Sequence, residues 1–377
     1  MGGAPPAPAG PTRVLHVHRI SGIGGSERHL LTLLPALAER SLDVSFLGLD
    51  AATGDPDSFY AELAGSGVRI ARVPCPRDID PVLARRVTAI GRRERPDLVH
   101  THLVHGDLYG HLLAVAAGSR LVTTKHNDDR FRTGPYRHVD RLLARRASAV
   151  ITISESLGRF VTDVEGIPAE SVEVVHYGLE GLPPPLAETA IPDREGRMLL
   201  AIGRLVPQKG HDVLLAAMAE LKRRQPDVWL AIVGDGPDRE ALASRAAELG
   251  VEDDVVFVGH TYDIASWLER SELLVHPSRW EGFGLVLLEA MLAGRAVVAS
   301  RVSAISEIVI DPDTGRLVPP DDPAALADAL DDVLGTPGRA KELGAAGRRR
   351  ADASFSVARM ADATVAVYRR ALAGVAA

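Results

Sequence analysis

Two groups of residues in this chain have types and spacings suited to chemistry. Arg204 and Lys209 flank the strand-to-helix loop Gly203-Arg204-Leu205-Val206-Pro207-Gln208-Lys209-Gly210. Arginine offers a planar fork of donors and lysine a compact charge, a pair that suits a diphosphate. Two exposed charges around a proline turn would read the same way. The second group runs from His276-Pro277-Ser278 through Glu281-Gly282-Phe283-Gly284 to Glu289. Pro277 and Ser278 break a strand, Gly282 and Gly284 open a tight turn, and a helix is expected from about Leu285. Backbone N–H groups at such a helix start seat hydroxyls or anions. Glu281 lies just before that seat, and Glu289 is expected about two helical turns into the helix. Both carboxylates would then face one crevice. An ordinary strand, turn and helix with a capping glutamate is the competing account.

The N-terminal half carries a weaker set. Ser21-Gly22-Ile23-Gly24-Gly25-Ser26 follows the strand Arg13 to His18 and precedes a helix expected from Glu27 to Arg40. A glycine loop at a helix N-terminus is a generic phosphate seat, but the spacing is not that of a dinucleotide fingerprint. His100, His102, Lys125 and His126 fall at expected strand ends, where ligands of a parallel sheet gather. The Asp-x-Asp pairs Asp55/Asp57, Asp78/Asp80 and Asp311/Asp313 have a metal-binding pattern, and chance accounts for them in so aspartate-rich a chain.

The elements that must hold these residues alternate. Strands and helices follow one another from Val14 to Val175, pause at Gly181-Leu182-Pro183-Pro184-Pro185, and resume at Met198. Alternation of this kind indicates parallel, doubly wound sheets. The reading divides the chain into a disordered lead at 1–11, a first α/β domain at 12–180, a linker at 181–197, a second α/β domain at 198–353, and a last helical segment at 354–377. The 377 residues suffice for two domains, and the net charge of −7 disfavours nucleic acid as a partner. A single cysteine, Cys75, excludes an intrachain disulfide framework and suits a reducing compartment. No apolar run reaches the roughly 18–20 residues of a membrane span, so the expected location is cytoplasmic. Basic helix clusters such as Arg85-Arg86 and Arg92-Arg93 leave room for peripheral contact with the inner membrane face.

With Gly203-Arg204-Leu205…Lys209-Gly210 and Glu281-Gly282-Phe283-Gly284…Glu289 in view, the chain resembles the retaining glycosyltransferases of family 4. Gly24-Gly25, Asp97-Leu98-Val99-His100-Thr101-His102, Gly234-Asp235-Gly236-Pro237 and Thr314-Gly315-Arg316-Leu317-Val318 add to the likeness, which runs from about Val14 to Arg370. The resemblance implies a GT-B fold, two Rossmann-like domains facing across a deep cleft, with the final helix crossing back to the first domain. It implies transfer of a hexose-type sugar from a UDP- or GDP-sugar to a small-molecule, lipid or glycan acceptor. No metal and no cofactor are expected, because Arg204 and Lys209 would bind the diphosphate. Glu281 and the backbone of Gly282, Phe283 and Gly284 would bind the sugar hydroxyls, and Glu289 the ribose. Gly24 and Gly25 would approach the phosphates, His126 would lie beside the reacting sugar, and the edge at Val258 would meet the base. The chain departs from the common pattern at Ser303-Ala304, where relatives have a glycine pair, and at Tyr177-Gly178, where they have Asn-Gly. A sugar-nucleotide epimerase of the same fold and a non-catalytic nucleotide-sugar binding protein are the alternative readings. A membrane-associated scaffold is a third.

Overall fold

The computed structural model describes residues 10–127, 141–186 and 191–374. Most of the lead expected at 1–11 lies outside these residues. The chain forms two compact units, one of Met1–Gly178 with Val357–Ala377 and one of Leu179–Ser356.

The first unit holds a seven-stranded parallel sheet in the order β3-β2-β1-β4-β5-β6-β7. Its strands are β1 (Arg13–Ile20), β2 (Asp43–Ala51), β3 (Arg69–Cys75), β4 (Leu98–His102), β5 (Arg120–Lys125), β6 (Ala149–Thr152) and β7 (Val172–Val174). Helices cover both faces, so the central strands are buried on both sides and read as unbroken apolar runs. Side chains alternate between faces. Val14, Phe46, Leu98 and Val122 join one core, with the helices Gly25–Ala38 and Val357–Ala373. Leu15, Leu47, Val99 and Leu121 join the other, with Pro81–Glu94 and Leu103–Ala117.

The second unit has a six-stranded parallel sheet, β10-β9-β8-β11-β12-β13. Its strands are β8 (Arg197–Ile202), β9 (Val228–Val233), β10 (Val255–Gly259), β11 (Leu273–His276), β12 (Ala296–Ser300) and β13 (Arg316–Val318). Chain reversal between β1 and β4, and between β8 and β11, leaves a topological switch point at the carboxyl ends of each sheet. The loops after β8 and β11, which carry Arg204, Lys209 and Glu281, lie at the second of these.

Some boundaries differ from expectation. The first helix begins at Gly25, and Pro35 lies inside it. The last helix, read from Ser354, begins at Val357, after a separate helix, Arg339–Ser354. The short strand β13 carries too little pattern to be read from the residues.

Candidate active site

In the second unit, β8 ends at Ile202 and the chain turns through Gly203 into a 3-10 turn, Pro207–Lys209. A Cβ built on Gly203 would sit 3.3 Å from the Lys209 Cδ atom, so the lysine stem lies across that glycine. Gly210 then takes a left-handed φ of 63° and opens the helix His211–Leu221. A Cβ there would lie 2.2 Å from the Pro277 carbonyl oxygen, so this glycine lets the Lys209 turn approach the turn after β11. Arg279 ties the two turns together. Its guanidinium donates to both carboxylate oxygens of Asp212, to the Pro207 carbonyl and to Asp321, while its backbone N–H donates to the Gln208 carbonyl.

The result is a direct contact: Lys209 Nζ donates to Glu281 Oε2 at 2.6 Å. His276 Nε2 and Ser278 Oγ approach the same oxygen at 3.2 and 3.3 Å. Among the described residues Glu281 Oε1 has no hydrogen-bond partner, so one carboxylate oxygen is fixed by the protein and the other is left to accept. Burial works to raise the Glu281 carboxyl. The adjacent Lys209 charge and the His276 hydrogen bond outweigh it and hold the group down at about 2. Burial pushes the His276 imidazole below its ordinary value, against the opposing pull of Glu281. His211, behind them, is held at about 4 by burial, with His276 and Lys209 adding to the effect. Arg204 is exposed, and its side chain makes no hydrogen bond or ion pair among the described residues. The two cations therefore differ: Lys209 is committed to a buried carboxylate and Arg204 is not.

Gly284 caps the helix Leu285–Leu292 with a left-handed φ of 95°, and Gly282, Phe283 and Gly284 are buried. Glu289, half-buried, is only about one turn into that helix, because the turn takes up the residues before Leu285. Val258 is the extra residue of a bulge in β10, where the register against β9 slips between Phe257 and Gly259.

In the first unit, Gly24 caps the helix Gly25–Ala38, but the seat there is partly filled from within. Glu27 Oε2 accepts from the Gly24 N–H at 3.0 Å and from Ser26 Oγ at 2.9 Å, and its Oε1 meets His18 Nε2 at 3.0 Å. His18 Nδ1 faces the His102 carbonyl at 3.1 Å. Both partners of that ring are acceptors, a carbonyl and a carboxylate. His100 and His102, expected at a ligand-facing edge, are instead buried inside β4, because their strand continues straight into the helix Leu103–Ala117. Lys125 is likewise buried, paired with Asp107 at 3.0 Å. His126 is nearly buried. Its Nε2 meets His102 Nδ1 at 3.0 Å and its Nδ1 meets the Tyr177 hydroxyl, so both ring nitrogens are engaged. A cavity of about 360 Å³ opens at the carboxyl ends of β1 and β2, lined by Arg19, Ser21, Glu27, Thr53, Leu103 and His105. Leu103 there takes φ 58°, a strained conformation for a leucine.

Residues 23–180 match the model for Glycosyltransferase Family 4 and residues 188–350 that for Glycosyl transferases group 1. The chain is 30% identical to a glycogen synthase of Mycobacterium tuberculosis, over 93% of this chain and 92% of that protein. The chain belongs to glycosyltransferase family 4. A second relative of this glycosyltransferase is the GDP-mannose-dependent alpha-(1-6)-phosphatidylinositol monomannoside mannosyltransferase of Mycolicibacterium smegmatis, 31% identical over 78% of this chain and 81% of that one. Anabaena HepE, solved in complex with UDP and glucose, superposes with a TM-score of 0.80 at 22% identity over 95% of this chain and 99% of that one, a likeness of GT-B fold. Reading the glycosyltransferase's residues in sequence missed Arg279, His276 and Ser278 as partners of the cluster, although all three stand within the stretch singled out. It also missed that Asp78, Asp80 and Asp311 already have work. Asp80 caps the helix Pro81–Glu94, Asp78 pairs with Arg19 and His105, and Asp311 pairs with Arg301 and Arg316.

Proposed function

We propose that this protein is a retaining, metal-independent glycosyltransferase that moves a hexose-type sugar from a UDP- or GDP-sugar to an acceptor hydroxyl. The observation that carries the reading is the Lys209–Glu281 contact with Glu281 Oε1 left to accept, beside a glycine turn at a helix N-terminus. Glu281 Oε1 and the backbone of Gly282, Phe283 and Gly284 bind the sugar hydroxyls. Arg204 and Lys209 bind the diphosphate and stabilise the charge that grows on it as the bond to the sugar breaks. They do the work a metal does elsewhere. Glu289 holds the ribose hydroxyls and the bulge at Val258 meets the base. Gly24 and Gly25 approach the phosphates. His126, its ring nitrogens already bonded, serves the reacting sugar through its main chain. The C1–O bond to the diphosphate breaks, the acceptor oxygen bonds C1 from the same face, and the acceptor's proton passes to the departing phosphate oxygen. The mannosyltransferase relative named for GDP-mannose and the UDP-bound HepE structure support a nucleotide-sugar donor.

The acceptor belongs to the first unit, where the cavity beside Arg19, Ser21 and Thr53 offers donors and acceptors to a hydroxylated molecule. A lipid acceptor would bring the helix Pro81–Glu94 to a membrane, since Arg85, Arg86, Arg92 and Arg93 are exposed, as are Ile79 and Val82. Cosedimentation with anionic vesicles tests that contact. No helix among the described residues is long and apolar enough to cross a membrane.

The deciding experiment is a thermal-shift screen with UDP, GDP, ADP and their sugars, with magnesium and with EDTA, followed by transfer assays. Binding raises the melting temperature by mass action. The expected result is a shift with one nucleoside diphosphate that survives EDTA, and an α-linked product from an α-linked donor. Loss of the shift in EDTA would overturn metal independence. Inversion at the anomeric carbon would overturn retention, and conversion of the donor without acceptor would favour the epimerase.

A further inference from the structure

A chain of hydrogen bonds runs through the core of the first unit and reaches His126 and Tyr177. Thr124 Oγ1 meets His100 Nε2 at 2.6 Å, and His100 Nδ1 meets the Tyr368 hydroxyl at 2.6 Å. The Tyr368 hydroxyl also meets His16 Nε2 at 3.2 Å, and His16 Nδ1 meets His102 Nε2 at 3.0 Å. His102 Nδ1 meets His126 Nε2 at 3.0 Å, and His126 Nδ1 meets the Tyr177 hydroxyl. Sheet register explains the gathering. His16 pairs with His100 across β1 and β4, and His102 pairs with Thr124 across β4 and β5. Alternation then puts all of them on the face covered by the helix Val357–Ala373, which supplies Tyr368. His29 stacks on Tyr177 with ring centroids 4.2 Å apart.

Three histidines of this hydrogen-bonded chain are shut away from solvent. His16, His100 and His102 are at most 1% exposed. Burial, with neighbouring imidazoles adding to it, holds His16 at about 3 and His100 and His102 well below the ordinary histidine value. A neutral imidazole has one N–H and one acceptor nitrogen, so each ring that accepts on one side must donate on the other. Tyr368, buried and with a single hydroxyl hydrogen, passes the sense on by accepting from one ring and donating to the other. If it accepted from both, its hydrogen would be left unpaired in the core.

We propose that His100, His16, His102 and His126 form one hydrogen-bonded wire of a single polarity, with Tyr368, His16 and His102 as positioning residues for His126 and Tyr177. The rings are linked so that coherence forces one tautomer on all of them, either Nδ1–H throughout or Nε2–H throughout. Thr124 selects between the two. Its hydroxyl has no second partner among the described residues, so donating to His100 Nε2 satisfies its hydrogen, whereas accepting would leave that hydrogen unpaired. The wire therefore carries its protons on Nδ1. His126 Nδ1–H donates to the Tyr177 oxygen and leaves the Tyr177 hydrogen to be donated onward. This gives Tyr177, which stands where the resemblance leads one to expect asparagine, a physical role as a link of the wire.

The test is histidine-labelled NMR of the whole protein, which separates Nδ1–H from Nε2–H rings by their ¹⁵N shifts. The wild type is expected to show the Nδ1–H tautomer at His16, His100, His102 and His126. A proton on Nε2 of any of them overturns the proposal. So does stoichiometric zinc in the purified protein, because a metal held by His16, His100 and His102 would take the nitrogens the wire uses. Tyr368→Phe keeps the ring and removes the joint, and its His16, His102 and His126 signals are expected to lose their single tautomer. Unchanged tautomers would remove Tyr368 from the wire. Thr124→Val unsettles the same signals from the other end, should the first variant fail to fold. The catalytic consequence rests on the proposed glycosyl transfer: Tyr368→Phe is expected to lower kcat about tenfold, the scale of a lost orienting partner, with the donor KM nearly unchanged. A tautomer change at unchanged kcat overturns the positioning role. A wild type that turns over no nucleotide-sugar counts against the proposed function instead, and the NMR result stands apart from it.

Discussion

Lys209 is asked to do two things, and the Glu281 contact makes them inseparable. As a diphosphate ligand it would supply about 3 kcal/mol of transition-state stabilisation. As the counter-ion of a carboxylate with 12% side-chain exposure it also supports the fold, and removing one partner of such a pair leaves the other charge stranded, at a cost of about 3 kcal/mol. Lys209→Ala is therefore expected to lose both turnover and stability, and its lost activity alone would prove little. Arg204→Ala separates the two effects. With no protein partner among the described residues, this exposed arginine should cost under about 0.5 kcal/mol in urea unfolding, while kcat/KM falls by about a hundredfold or more. Wild-type turnover in Arg204→Ala would remove it from the phosphate site. Glu281 also sets a pH dependence. Its folded value near 2 lies below the ordinary 4.5, so the folded state favours the carboxylate. The resulting stability, up to about 3 kcal/mol, is fully present above about pH 4.5 and disappears as the pH falls through 2. Unfolding free energies of the wild type and Glu281→Gln should thus converge on acidification over that window. A constant gap would show that the contact does not depend on the charge.

At the scale of the element, the candidate site depends on two turns that glycine makes possible, and they are not equivalent. Gly284→Ala places a methyl group 3.0 Å from a flexible Leu287 side-chain tip at a φ of 95°. The expected cost is about 1–2 kcal/mol. Gly210→Ala drives its methyl into the Pro277 carbonyl and should cost about 3 kcal/mol or more, since backbone has to move. Chemical denaturation of both variants checks the order, and the reverse order would mean that the two turns are not held against each other. The glycine turns and the strands that feed them were legible in the residues, because β8, β9 and β11 are apolar runs that stop at Gly203, Gly234 and Pro277. What lay between them was not. Nothing in the spacing of Lys209 and Glu281 says that they touch, since they come from different β–α loops and meet only when β8 and β11 pair. The clamp of Arg279 on Asp212, Pro207 and Asp321 exists only in three dimensions. His100 and His102 misled in the opposite direction. A strand that runs into its helix without a loop keeps its last histidines inside, and no local signal announces the missing loop. Ser303 gives a mixed case: it stands where the resemblance leads one to expect glycine, and it takes φ 42°, a left-handed conformation that suits glycine better than serine.

Across the whole molecule, the two units differ in how their chain is laid out, and that difference is testable. The second is one continuous stretch, Leu179–Ser356. Its ends meet, with the Leu179 N–H donating to the Phe355 carbonyl at 2.9 Å, and its sheet, core and Lys209–Glu281 contact all lie within it. The first is interrupted and is completed by the last helix, whose Val357, Met360, Ala361, Val365, Val367 and Tyr368 are buried in its core. At roughly 1.5–3 kcal/mol for each large apolar side chain buried, that helix contributes on the order of 10 kcal/mol, comparable with the roughly 5–15 kcal/mol that holds a domain together. Ending the chain at Ser356 should therefore unfold the first unit, seen as loss of its methyl signals in NMR, and leave the second intact. The fragment 179–356 is expected to fold alone with a single cooperative melt. If Arg204, Lys209, Glu281 and Glu289 hold the donor, the nucleoside diphosphate that stabilises the full chain should also raise the melting temperature of the fragment, by an amount that grows with ligand concentration. A folded fragment blind to every nucleotide that binds the full chain would show that the donor site needs residues of the first unit. The proposed division of labour would then fail, whatever the activity of the intact enzyme.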